Sequence, residues 1–154
     1  MFVEKLLSGG AGKGVTMELL NNLLMSKNKE CFSSVDLLEI DLIRRRASFV
    51  KAGAAPTYLL RSAKLFKVSS DTPPCGIIEG FCAENTSFEI FPGDTIIMLS
   101  DGITSSIDCG TALCDIMNNA GGQSMDVLAG KILDTAMSLA VHDDDMSCVM
   151  VKIR

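Results

Sequence analysis

A chain of 154 residues, 47% of them hydrophobic and with a mean hydropathy of +0.31, is long enough to bury one sizeable core and too apolar to stay disordered. The net charge of −5 and isoelectric point near 4.8 disfavour a nucleic-acid partner. Six cysteines (Cys31, Cys75, Cys82, Cys109, Cys114 and Cys148) without a C-x-x-C pair imply reduced thiols rather than a disulfide framework, as in a cytoplasmic protein.

The opening residues 1–7 hold too short an apolar run for a signal peptide, and no stretch approaches the roughly eighteen apolar residues of a membrane span. Residues 8–14, Ser-Gly-Gly-Ala-Gly-Lys-Gly, invite a phosphate-cradling reading. The P-loop spacing would need Gly at Leu7 and Ser or Thr at Gly14, and the dinucleotide fingerprint would need Gly at Val15, so a nucleotide-binding domain is disfavoured. The simpler role is the end of one helix and the start of the next. Residues 15–27 place Leu19, Leu20, Leu23 and Leu24 on a helical stripe expected to face core.

Residues 32–43 and 47–51 predict a long antiparallel hairpin, with Arg44, Arg45 and Arg46 solvated at its turn. Gly53 to Pro56 breaks it, and residues 57–61 and 64–68 predict two short strands around a Ser62-Ala63 turn. After the rigid stretch 72–76, residues 81–91 read as a strand, Pro92-Gly93-Asp94 as a turn and residues 95–99 as its hairpin partner. Two helices are expected at 107–119 and 124–141, joined at Gly121-Gly122, with Asp126 favourable to the dipole of the second. Residues 146–153 predict a final strand.

Two acidic motifs abut these apolar strands: Ser100-Asp101-Gly102 after residues 96–99, and Asp143-Asp144-Asp145 before residues 146–153. No Lys or Arg lies within five residues of Asp101, or within the five before Asp144. A carboxylate leaving a buried strand is costly without a positive partner, and oxygen ligands on a short stem suit Mg²⁺ or Mn²⁺. If residues 143–145 are extended, alternation turns Asp144 away from Asp143 and Asp145. Either motif alone is also an ordinary turn, and His142 beside three aspartates reads as a solvated turn residue with no assigned role.

Four ordered segments carry a family resemblance: residues 34–42 (Ser-Val-Asp-Leu-Leu-Glu-Ile-Asp-Leu), 49–61 (Phe-Val-Lys-Ala-Gly-Ala-Ala-Pro-Thr-Tyr-Leu-Leu-Arg), 91–103 (Phe-Pro-Gly-Asp-Thr-Ile-Ile-Met-Leu-Ser-Asp-Gly-Ile) and 144–147 (Asp-Asp-Met-Ser). Together they resemble the stage II sporulation protein E branch of the metal-dependent serine/threonine phosphatase (PPM) family. The resemblance implies an α+β fold, a partial α-β-β-α sandwich of antiparallel sheets flanked by helices, with residues 1–154 as a single domain lacking the first strands. It implies metal-ligand roles for Asp101 and Asp144 and a supporting role for Asp145 beside the ligand. In the complete family domain two Mn²⁺ or Mg²⁺ ions share a water that attacks phosphoserine or phosphothreonine in line, with no side-chain nucleophile.

The resemblance also implies a gap. The family's Gly-Asp acid and Asp-Gly-Met-Gly loop have no counterpart here, and fitting residues 8–12 to that loop would put Gly9 where an acid belongs and leave too short a spacing to residue 34. The chain is therefore expected to hold at most a partial metal site and to be a weak phosphatase or none alone, acting on a phosphoprotein. It is expected to self-associate or pair with a segment carrying the missing strands, since bared sheet edges seek partners. The alternative is a non-catalytic pseudophosphatase serving as a protein-interaction module.

Overall fold

The computed structural model describes residues 2–27, 31–141 and 143–154. In chain order the elements are α1 (Phe2–Ser8), α2 (Lys13–Lys27), β1 (Val35–Asp41), β2 (Arg46–Ala52), β3 (Thr57–Arg61), β4 (Lys64–Val68), β5 (Glu84–Glu89), β6 (Thr95–Leu99), α3 (Asp101–Ser106), α4 (Cys109–Asn118), α5 (Met125–Leu139) and β7 (Cys148–Lys152). They form two antiparallel sheets with helices, the expected α+β class. Two compact units divide the chain: Met1–Ala54 with Ser70–Glu89, and Ala55–Ser69 with Ile90–Arg154.

In the first unit the sheet order is β1-β2-β5. The glycine segment is the helix-to-helix turn that the sequence implied. Ala11 N–H donates to the Leu6 carbonyl and Gly10 N–H to that of Leu7, with Gly10 at φ +85°, the paired bonds of a Schellman cap. The leucine stripe supplies only the edge of the face that α2 buries, through Leu20 and Leu24. Thr16, Met17 and Asn21 are its buried residues, whereas Leu19 is 41% exposed. Met17 packs with Val50, Ala52, Cys75 and Phe81, joined by Leu20 and Leu24. A polar residue holds a core position here because Asn21 is satisfied on both sides of its amide: Oδ1 accepts from Gly76 N–H at 2.7 Å and Nδ2 donates to the Ile78 carbonyl at 3.0 Å. Periodicity counts only apolar residues, so it points one step around the helix from the true face.

In the second unit the order is β4-β3-β6-β7. Here the structure corrects the sequence reading: residues 95–99 do not pair with the strand before them. β5 completes the first sheet against β2, while β6 lies between β3 and β7 in the second. The turn residues instead carry a crossover, fastened where Arg61 donates to both Asp94 oxygens (2.9 and 2.6 Å) and stacks its guanidinium 4.5 Å over the Phe91 ring. Phe91 N–H also donates to Asp94.

The helices of this unit cover one core made by Tyr58, Ile97, Leu99, Ile103, Ile107, Cys109, Leu113, Ile132 and Ala136. The helix expected at 107–119 is α4, and a short helix that the sequence reading did not anticipate, α3, precedes it. α3 ends at Ser106 and α4 starts after Asp108, whose side chain accepts from Gly110 N–H and Thr111 Oγ1 as an N-cap. Ser124 caps α5 in the same way through Val127 N–H. All six cysteines are free thiols.

Candidate metal centre

Asp101 is the first residue of α3, immediately after β6. Six residues are too few to hold a helix by themselves. Ile103, fully buried in the core, contributes roughly 2 kcal/mol of burial and pins the helix in place, so the backbone of Asp101 is fixed by packing two residues away. An acid at a helix start is also favoured by the helix dipole.

Ser100 joins this start to the second acidic motif. Its N–H donates to the Ser147 carbonyl (3.0 Å), its Oγ donates to the Asp145 carbonyl (3.1 Å) and the same Oγ accepts from Ser147 N–H (2.9 Å). These bonds carry the β6–β7 pairing one step beyond its last rung, Leu99 opposite Cys148. Gly102 then lies flush against the loop: a β-carbon there would meet the Asp145 carbonyl oxygen at 2.7 Å, Met146 Cγ at 3.3 Å and Asp144 Cβ at 3.4 Å. The backbones bearing Asp101 and Asp144 therefore adjoin, with the Asp144 side chain starting against the residue that follows Asp101.

The electrostatic premise of the sequence reading needs correction. Asp101, Asp143, Asp144 and Asp145 are all exposed, so no burial penalty forces a cation upon them. Residues 143–147 are irregular rather than extended, and the strand alternation expected of the three aspartates does not apply. What remains is proximity of like charge without a cationic partner: no Lys or Arg pairs with these acids among the described residues. Asp101 accepts only from Gly102 N–H (3.2 Å) and Asp144 only from Asp145 N–H (2.8 Å), leaving one oxygen of each carboxylate without a protein donor among the described residues. Such oxygens suit a hard divalent ion, which wants about six oxygen ligands.

Two acids supply a minority of those ligands, and no three His, Cys, Asp or Glu side chains gather into a metal-holding group among the described residues. The residues present fit part of a site whose remaining positions fall to water or to further acids. Asp145 contributes its backbone to the Ser100 tie and to Asp144, while His142 lies outside the described residues. The sequence reading missed Ser100 and Gly102. The available signal was the glycine at a helix's second position, a poor helix former that makes sense where another backbone comes close.

A family model described as Stage II sporulation protein E matches residues 2–154. The chain belongs to that family. Stage II sporulation protein E of Bacillus subtilis (strain 168) is 28% identical over 160 residues, an alignment covering 98% of this chain and 19% of the relative. A solved PP2C phosphatase domain with a fragment of the regulatory domain of SpoIIE from Bacillus subtilis superposes with a TM-score of 0.81 at 27% identity, covering 98% of this chain and 47% of that one. The Bacillus subtilis SpoIIE phosphatase domain presoaked with Mn gives a TM-score of 0.66 at 26% identity, with 98% of this chain and 70% of that one covered. The chain thus spans about a fifth of its curated relative and less than three quarters of the solved phosphatase domain. Its fold is the PP2C-type phosphatase fold, as the four motifs implied. No helix among the described residues is long and apolar enough to cross a membrane.

Proposed function

We propose that this chain contributes to a metal-dependent protein serine/threonine phosphatase domain that hydrolyses phosphoserine or phosphothreonine in a phosphoprotein, with Asp101 and Asp144 as ligands to Mn²⁺ or Mg²⁺. The observation that carries this reading is the junction of the two motifs across Gly102 and Ser100, where the backbones bearing two exposed aspartates adjoin and neither acid pairs with a Lys or Arg among the described residues. When bound, such ions neutralise phosphoryl oxygens and acidify water. The chain's own part is to hold: Ile103 anchors Asp101, Ser100 fixes the 145–147 backbone, and Gly102 lets Asp144 approach. No side-chain nucleophile is required.

With two ligands the site is partial, so we infer weak or absent turnover by these 154 residues alone and a need for further acids from a pairing segment or a second copy. Residues 1–154 act in this reading as one partial domain, in a reducing cytoplasm that keeps the six thiols free. Titration calorimetry with Mn²⁺ tests it. Asp101→Asn and Asp144→Asn are each expected to weaken binding by at least about tenfold, since each removes a charged ligand. Binding that survives both substitutions sinks the ligand assignment.

A non-catalytic interaction module is the second reading, and the exposure of the acids favours it: hydrated aspartates cost little to keep without a metal. Absence of Mn²⁺ binding by the intact chain selects it.

A further inference from the structure

Beside the aspartates runs a groove of about 350 Å³ lined by Leu133, Met137, Ala140 and Met146, with Asp143, Asp144 and Asp145 on its rim. Leu133 and Met146 pack against the core of their unit, so the floor is fixed. Met137 is 65% exposed, so the groove opens to solvent on its α5 side. The groove is small for a free ligand and suits one or two side chains of a docked segment.

We propose that this groove docks the substrate's own chain through a basic residue accompanied by an apolar one, close in sequence to the phosphorylated hydroxyl. This rests on the phosphatase reading. Charge complementarity selects the occupant: the rim carries three carboxylates, and no Lys or Arg lines the groove or pairs with them among the described residues. An Arg or Lys lays its aliphatic stem along Met137 and Ala140 while its charge reaches the rim, which an acidic or purely apolar segment does not do. Asp144 is committed to the metal, which leaves Asp143 and Asp145 for the partner's cation. Because Asp144 belongs to both places, a phosphate at the metal puts the docked residues within about three positions of the phosphoresidue along an extended strand.

The test is fluorescence anisotropy with the full chain in Mn²⁺, using two labelled nine-residue peptides that carry a non-hydrolysable difluoromethylene phosphonate in place of phosphoserine. One has Arg and Leu within three positions of the phosphonate; the other has Glu and Ser there. The first is expected to bind about tenfold more tightly, the combined effect of one or two rim charge pairs and a buried apolar side chain. Asp143→Lys and, separately, Met137→Lys are expected to reduce that preference to within about twofold, the same scale of effect in reverse. Met137 is largely exposed, so its variant is expected to fold, and Asp143→Lys provides an independent route. Equal binding of the two peptides, binding of neither, or a preference that survives both substitutions overturns the proposal. The metal reading is judged separately by Mn²⁺ calorimetry: loss of Mn²⁺ binding in Asp101→Asn alongside equal peptide binding overturns the docking site alone.

Discussion

A β-carbon on Gly102 would stand 2.7 Å from the carbonyl oxygen of Asp145, closer than real side chains come to backbone. The contact is with main chain that Ser100 holds by hydrogen bonds, so the oxygen has little freedom to move aside.

Gly102→Ala is therefore expected to push the 144–146 loop away from the start of α3. The cost is about 1–3 kcal/mol, the usual range for overpacking. The same displacement separates Asp144 from Asp101, so Mn²⁺ affinity falls although both ligands are intact. Urea denaturation and calorimetry on the one variant read the two effects. Unchanged stability together with unchanged affinity contradicts the close approach.

Asp94 gives the chain an acid-sensitive fastening. Its carboxyl is held below the ordinary carboxylate range chiefly by the Arg61 hydrogen bonds; burial pushes the other way, and Phe91 N–H adds to the lowering. With the folded value below the unfolded one, the stabilisation is complete at neutral pH. It fades as pH falls through the ordinary carboxylate range and is gone below the lowered folded value. Asp94→Asn is expected to cost about 2–4 kcal/mol at pH 7, because it breaks a pair whose acid is buried. The gap between the two proteins is expected to close towards pH 3, read from urea midpoints over that interval. A gap that stays constant with pH rules out the ion pair as its source.

The β3–β4 turn places two ordinary residues in the left-handed region, Ser62 at φ 48° and Ala63 at φ 62°. Such a two-residue hairpin turn favours glycine, and a β-carbon there costs about 1 kcal/mol. Ala63→Gly is expected to raise stability by about 0.5–1 kcal/mol despite the added freedom of the unfolded chain. A lowered thermal midpoint contradicts the strain.

How much of this was readable beforehand depended on how local the cause was. The strands at 57–61, 64–68 and 95–99 were legible because short apolar runs are bounded by turn residues, and the bounds match. The pairing of β6 was not: Pro92-Gly93-Asp94 looks like a hairpin turn, and nothing within a few residues of it reveals that Arg61 clasps Asp94 and that the neighbouring strands join different sheets. The Asp101–Asp144 neighbourhood was inferred from motif order, and the backbone geometry brings it about. The physical reason first given, burial beside strands, fails because both side chains are exposed. Exposure is a tertiary property, which one-dimensional polarity does not report when an acid sits at the edge of an apolar run.

The interleaving of the two units along the chain governs the order of assembly. A chain emerging from a ribosome can close the β1–β2 hairpin early, yet its third strand, β5, appears only after the β3–β4 hairpin of the other sheet. β7 and the aspartates that precede it follow every other described element, so Asp101 waits for its companion until the other described strands and the helices have been synthesised. A chain cut after Val141 would keep all five described helices and six of the seven described strands while having no Asp144 to offer a metal beside Asp101.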